Sequence, residues 1–349
     1  MAKILYGICG EGLGHASRCR ILISHLKKNH DIRIVAGGKA YKFLSKEFEN
    51  VEKIESPRLI YGGGDVRLFH SIIVMLYKSI SKTPLSFIKV RKIIKNFNPD
   101  ICITDAEPIS HLAARFSKIK RMSIDNPQAL IYRKYEVTLK EFVSWFVLII
   151  ALKLAMFGAN KYIIYDFFDK KVNDPRVLFL KPLIQEGILK QKPNMGNHIF
   201  VYQTSASTEF IFDIFKKIDE RFIIYGFNKE LVEENLVFRQ FNEKDFYNDI
   251  SNAKAVITNG GFSVLSEALY LKKPIFSMPI KNQFEQIFNA KIIEKLGAGV
   301  FHIELTEDNL KDFIKNLNYY MENLKSYDPG NQKKKLETIG EEIQKTLTN

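Results

Sequence analysis

At 349 residues the chain is long for one domain, and two domains are expected. Hydrophobic residues make up 46% of it and charged residues 26%, the balance of a soluble globular protein. The three cysteines, Cys9, Cys19 and Cys102, fit neither a zinc motif nor a disulfide framework. Met1 runs into a predicted strand without a signal segment, so a reducing cytosol is expected and secretion is not. A net charge of +13 points to nucleic acid, anionic lipid or phosphorylated substrates, or to a lysine-rich solvated surface.

Short apolar, β-branched runs alternate with helix-period segments along the chain, the pattern of βα units on parallel sheets. In the first half the predicted strands are Lys3 to Cys9, Ile32 to Ala36, Ile101 to Asp105, Arg121 to Ile124, Tyr162 to Asp166 and Val177 to Leu180. Two regions break the alternation. Leu68 to Lys95 reads as helical, mixing apolar and basic residues. Phe142 to Phe157 is an apolar run too short for the roughly 20 residues that span a bilayer. It is either a buried or half-buried helix, or a helix lying on a membrane surface with Lys140, Trp145 and Lys153 at its edges.

Gln185 to Asn197 has linker composition, which places a domain boundary near Leu183. The expected domains are 1–183 and 184–330, with a closing helix over 331–349 packing back on the first. The second half predicts strands at His198 to Thr204, Phe222 to Tyr225, Leu236 to Phe241, Ala255 to Thr258 and Pro274 to Met278.

The loop after the first strand reads Gly10-Glu11-Gly12-Leu13-Gly14-His15-Ala16-Ser17-Arg18-Cys19 and leads into a helix from about Ser17. Glycines let backbone approach a ligand, and the helix start favours an anion, which gives Gly12, Gly14 and Arg18 as candidate acceptor or phosphate contacts. The glycine spacing does not match a dinucleotide fingerprint. Ala36-Gly37-Gly38 also stands where a nicotinamide site needs an acid, so no such cofactor is expected. His15 suits proton transfer, or merely caps the helix. Asp105 and Glu107, in Asp105-Ala106-Glu107-Pro108, are either bases at a strand end or caps of the next helix. Asp125-Asn126-Pro127-Gln128 follows the next strand in the same way.

The densest constellation runs from Thr258 to Gly299. Asn259-Gly260-Gly261 turns from a strand into a helix carrying Ser263 near its start and Glu267 four residues on, about 6 Å along the axis. That rise suits phosphates at the glycine turn and ribose hydroxyls at the carboxylate. Glu285 and Gln286 open another helix and offer donors and acceptors for vicinal hydroxyls.

The segment TNGGFSVLSEALYLKKPIFSMPIKNQFEQIFNAKIIEKLGAG resembles the donor-binding region of GT-B glycosyltransferases, closest to MurG-like lipid I N-acetylglucosaminyltransferases. GEGLGHASR resembles the acceptor-side loop of those enzymes, and more closely that of a prokaryotic subset sharing Asp-x-Glu-Pro and Asp-Asn-x-Gln. The resemblance implies two Rossmann-like doubly wound parallel sheets facing across a cleft. It implies that Glu267 binds the ribose of UDP, that Glu285 and Gln286 contact the donor sugar, and that Gly260, Gly261 and Ser263 face the diphosphate. Thr204-Ser205-Ala206-Ser207 matches the other phosphate-side loop through Ser205, and backbone near Gln240-Phe241 would read the uracil.

The expected reaction is an inverting transfer from a UDP-sugar to an acceptor hydroxyl. It uses no cofactor and no metal, since no Asp-x-Asp motif stands where a metal would be held, and its base is His15, Asp105 or Glu107. Basic charge and the helices at Leu68 to Lys95 and Phe142 to Phe157 suggest a lipid-linked acceptor reached from the inner membrane face. The rivals are a nucleotide-sugar hydrolase of the nonulosonic acid type, which shares Gly-x-Gly-His-x-x-Arg-Cys, and a UDP-sugar 2-epimerase. Nucleic-acid binding rests on charge alone and is not expected.

Overall fold

The computed structural model describes residues 1–10, 12–55, 61–62, 65–66, 83–139, 141–203 and 211–348. The chain divides into two compact units: 1–60, 67–183 and 330–349 form the first, 61–66 and 184–329 the second.

The first unit is built on a seven-stranded parallel sheet of order β3-β2-β1-β6-β7-β8-β9. Its strands are β1 (Lys3–Ile8), β2 (Asp31–Gly37), β3 (Val51–Ile54), β6 (Ile101–Asp105), β7 (Lys120–Asp125), β8 (Lys161–Tyr165) and β9 (Val177–Leu180); Tyr61–Gly62 (β4) and Asp65–Val66 (β5) pair as a separate hairpin. The helices of its first segments are α1 (Gly14–Leu26), α2 (Gly38–Leu44), α3 (Thr83–Phe97), α4 (Pro108–Phe116), α5 (Ala129–Tyr132) and α6 (Phe142–Ala155). Every residue of β6 is buried and all but the first of β1, as expected of strands covered on both faces.

The second unit repeats the plan, with order β12-β13-β11-β10-β14-β15-β16. It comprises β10 (His198–Tyr202), β11 (Arg221–Tyr225), β12 (Leu231–Glu233), β13 (Leu236–Phe238), β14 (Ala255–Thr258), β15 (Ile275–Ser277) and β16 (Gly299–Phe301). All neighbours run parallel except β12, an antiparallel edge strand. The helices are α7 (Glu186–Leu189), α8 (Ile211–Phe215), α9 (Glu243–Ser251), α10 (Phe262–Tyr270), α11 (Phe284–Lys295), α12 (Glu307–Lys315) and α13 (Leu317–Lys325). Phe215 stacked on Phe222 at 4.2 Å, with Phe276 and Phe313 edge to face, anchors the core on one face of this sheet.

The last helix, α14 (Gln332–Thr348), belongs to the first unit. Lys120 Nζ donates to the Leu347 carbonyl at 2.9 Å, Lys161 pairs with Glu342, and the buried Lys335 donates to the Pro182 carbonyl.

Five strands lay outside the sequence expectation, the two-residue β4 and β5 among them. β3, β12 and β16 are three or four residues long, and β12 is exposed throughout, so none carries an apolar run. The apolar run at 142–157 is helical over Phe142–Ala155 and half-buried, one of the two arrangements expected for it. Among its residues Phe142, Val143, Phe146, Ile150 and Leu154 are exposed, Ser144, Leu152 and Met156 are buried, and Trp145, Val147, Leu148 and Ile149 are half-buried. Of Leu68 to Lys95, residues 83–95 lie in α3 and the rest fall outside the described residues. No helix among the described residues is long and apolar enough to cross a membrane.

Candidate active site: a charged cluster and a glycine turn

In each sheet the first strand of the unit, β1 or β10, has its sequential successors on one side and the later strands on the other. At such a switch point the flanking connections diverge and leave a crevice beyond the carboxyl ends of the strands. Both glycine loops lie at such points, after β1 and after β14.

In the first unit, Gly10 packs so closely on the end of β2 that a β-carbon would stand 2.7 Å from the Gly37 carbonyl carbon. The Lys39 amide donates to the Gly10 carbonyl at 3.2 Å. This contact fixes the role of Ala36-Gly37-Gly38, which sequence reading could only mark as lacking an acid. Gly12 has φ +74°, and a β-carbon on it would meet nothing within 4 Å. The chain then enters α1 at Gly14 with no side chain capping the helix.

Asp105, at the end of β6, is fully buried. Its Oδ2 accepts from Arg18 Nε at 2.5 Å and from the Cys19 thiol at 3.2 Å; its Oδ1 accepts from Arg18 Nη2 at 2.5 Å and lies 2.7 Å from His15 Nδ1. Burial alone would push this carboxyl up. The Arg18 and His15 charges more than offset it and hold the group well below the usual carboxylate range. His15 is partly exposed and Arg18 is buried. The structure therefore brings His15, Arg18 and Asp105 together across almost ninety residues of sequence.

Two sequence expectations change here. Glu107 is fully buried and accepts from the Ile109 amide at 3.1 Å and the Ser110 amide at 2.6 Å. It is the N-cap of α4, with Pro108 as the first helical residue, so its carboxylate serves the helix and cannot reach a substrate as a base. Arg18, read as a phosphate contact, has its guanidinium on Asp105 instead.

Asp125, at the end of β7, is a buried carboxyl that forms no ion pair among the described residues, although the Arg18 charge reaches it. It accepts from Ser123 Oγ at 2.5 Å and the Gln128 amide at 3.0 Å, and burial together with the nearby Asp105 charge raises it to about 6.

In the second unit the turn after β14 depends on Gly260. Its φ is +87°, and a β-carbon there would come within 2.8 Å of the Gln286 carbonyl oxygen. Gly261, the N-cap of α10, is different: a β-carbon on it would meet nothing within 4 Å, and it has no side chain of its own to cap the helix. The fold requires the first glycine, whereas the second has room for a β-carbon. Asn289 Nδ2 donates to the Gly260 carbonyl at 3.2 Å, which ties α11 to the turn.

Gln286 Oε1 accepts from the Ile280 amide at 2.9 Å, so half of its side-chain amide is committed to the loop before α11. Glu285 beside it is half-buried in the first turn. On α10, Ser263 is half-buried and Glu267 buried. Burial first, then the Glu267 charge, pushes the Tyr202 phenol up to about 12, which places Glu267 near the end of β10. Tyr202 packs edge to face on Phe246 at 5.6 Å, and Phe241 lies 5.3 Å from the same ring with its own side chain exposed. The structure thus gathers Gly260, Gly261, Ser263, Glu267, Glu285, Gln286 and Phe241 at the carboxyl edge of one sheet. The Gln240 amide is taken by Glu230 Oε2 at 2.9 Å. Ser205 and its loop lie outside the described residues.

A glycosyltransferase of Methanosarcina acetivorans, described as uncharacterised, is 27% identical over 338 residues, covering 85% of this chain and 84% of its own. A Thermosipho melanesiensis protein named as a UDP-N-acetylglucosamine--N-acetylmuramyl-(pentapeptide) pyrophosphoryl-undecaprenol N-acetylglucosamine transferase is 34% identical over 148 residues, which is 34% of this chain and 43% of its own. Among solved structures, the kitacinnamycin glycotransferase superposes with a TM-score of 0.69 over 99% of both chains at 13% identity, a likeness of fold. The profile of Glycosyl transferase family 1 matches residues 2–318, and the chain belongs to that family, a glycosyltransferase with the two-sheet GT-B fold.

Proposed function

We propose that this glycosyltransferase moves a sugar, N-acetylglucosamine foremost, from its UDP derivative to a hydroxyl of a lipid-linked acceptor, without a metal and with inversion at the anomeric carbon. The observation that carries the reading is the glycine turn at Gly260 and Gly261. A β-carbon at Gly261 would stand in open space, so a ligand can approach the backbone closely there, and Glu267 lies further along the same helix. A helix start favours the diphosphate, and a carboxylate accepts from ribose hydroxyls. The named activity of the Thermosipho relative supports both the donor and the lipid-linked acceptor.

In this reading Asp105 accepts the Nδ1 proton of His15 and leaves Nε2 as the base. The acceptor hydroxyl gives its proton to Nε2 as its oxygen bonds to the anomeric carbon. The bond from that carbon to the β-phosphate oxygen breaks, and its electron pair leaves with UDP. Displacement from the opposite face inverts the centre.

Calorimetry tests the donor assignment. Glu267→Ala weakens UDP binding by about ten- to a hundredfold, the value of one or two charge-assisted hydrogen bonds. Wild-type affinity in that variant removes the donor site.

The acceptor side draws support from α3, α4 and α6. Phe87 meets Phe116 edge to face at 5.7 Å, and Arg115 lies over Phe157 at 4.8 Å, so the three helices adjoin. They expose Leu85, Ile88, Phe116, Phe146 and Leu154. None of the three carries an acidic residue, whereas Arg91, Lys92, Lys95, Arg115 and Lys153 lie on them. An apolar face rimmed by cations suits an anionic membrane surface. Cosedimentation with phosphatidylglycerol vesicles and not phosphatidylcholine vesicles is expected at low salt. No pelleting with either refutes the membrane assignment and leaves the donor site standing.

A further inference from the structure

The Arg18 side chain takes no part in the transfer steps above. It is buried, and its Nε and Nη2 both donate to Asp105, one to each carboxylate oxygen. Such a fork fixes the carboxylate in plane and in rotation, which a lysine could not do. The same Nη2 stands 2.7 Å from His15 Nδ1, the distance at which Asp105 Oδ1 also stands.

A guanidinium has no lone pair to offer, so Nδ1 has two choices. Protonated, it donates to Asp105 and leaves the lone pair on Nε2. Unprotonated, it accepts from Arg18, and the proton on Nε2 then prevents base catalysis. The outcome depends on how firmly Asp105 presents its Oδ1. The other groups facing this cluster are Tyr6 from β1, Cys19 from α1, Asp125 from β7 and Tyr165 from β8. None of them is a cation, so among the described residues of this cluster Arg18 is the permanent positive charge against the buried carboxylate.

We propose that Arg18 is a positioning residue for the transfer: its two-point grip holds Asp105 as a fixed anionic acceptor for Nδ1, which selects the His15 tautomer with a free Nε2. This rests on His15 being the base. Without the grip, the buried carboxylate either takes a proton or turns from Nδ1, and the basic nitrogen is lost at neutral pH.

The test uses the full chain labelled with ¹⁵N-histidine, with the His15 signals identified by their loss in His15→Gln. Long-range ¹H–¹⁵N spectra of the wild type at pH 7.5 are expected to show a protonated Nδ1 and a bare Nε2. Arg18→Gln is expected to convert His15 to the Nε2-protonated form or to imidazolium. UDP release from UDP-N-acetylglucosamine, with a lipid extract as acceptor, falls about a hundredfold or more while the donor KM stays within about threefold. Arg18→Lys, which keeps the charge but not the fork, falls in between and carries the test if Arg18→Gln does not fold. A wild-type tautomer in either folded variant overturns the proposal whatever the rate does. Wild-type turnover in His15→Gln instead overturns the reading of His15 as the base.

Discussion

The two glycine loops each lie beside the switch point of a sheet, one after its first strand β1 and the other after β14, and are built on opposite principles. The loop after β1 leads into a cluster in which nearly every polar atom is engaged: Asp105 accepts from Arg18 and Cys19 and lies 2.7 Å from His15 Nδ1. The turn after β14 relies on glycines: a β-carbon at Gly260 would meet the Gln286 carbonyl oxygen, and one at Gly261 would stand in open space. A group that moves protons must be held in one orientation, whereas a surface that cradles phosphates needs backbone within reach. One site is built from side chains and the other from their absence.

The largest test of that contrast is at His15. His15→Ala should lower the kcat for UDP release about 10²- to 10⁴-fold, the usual range for a general base, with UDP affinity unchanged by calorimetry. A loss of UDP affinity in that variant would put the histidine on the donor side and dissolve the division of labour.

Asp125 sharpens the contrast within the first cluster. Asp105, held below its ordinary range, contributes stability above the unfolded carboxylate range that is lost as pH falls. Asp125 has the opposite sign. Its folded-state value of about 6 exceeds the ordinary 3.8, so the folded protein binds more protons in that window and loses stability as pH rises through it. Asp125→Asn should therefore stabilise the protein by roughly 3 kcal/mol at pH 7.5, two pKa units at 1.36 kcal/mol each, and by little near pH 4. Urea melts at both values check this. An equal gain at both would mean that packing and not charge is responsible.

The smallest effects separate the two glycines of the second turn. Gly260→Ala forces a left-handed residue against the Gln286 carbonyl and should cost roughly 1–3 kcal/mol of stability, read as a lower melting temperature. Gly261→Ala should stay within about 0.5 kcal/mol of wild type but bind UDP several-fold more weakly. If both variants lost stability alike, Gly261 would be structural and not a phosphate contact.

How legible each region was follows from the same contrast. The second turn depends on local sequence: Gly260, Gly261, Ser263 and Glu267 fall within eight residues, and the i, i+4 spacing already fixes their geometry. The first cluster depends on pairing between α1 and the end of β6, and no local pattern announces that Arg18 belongs to Asp105. Sequence reading accordingly gave Arg18 to a phosphate and left Glu107 open between base and cap. The missing signal for Glu107 was burial, since a cap and a base look alike until one of them is sealed under Gly7 and Ser110. Long strands were plain from their apolar runs. β12 and β16 were not, because three residues at a sheet edge hold no periodicity.

The return of α14 to the first unit sets an order of events during synthesis. The second unit, apart from the hairpin at 61–66, is one uninterrupted stretch, 184–329, and can fold once that stretch has left the ribosome. The first unit, though it starts earlier, cannot seat Lys335 against Pro182 or Glu342 against Lys161 until the helix at 332–348 has been made. The unit that begins first is completed last.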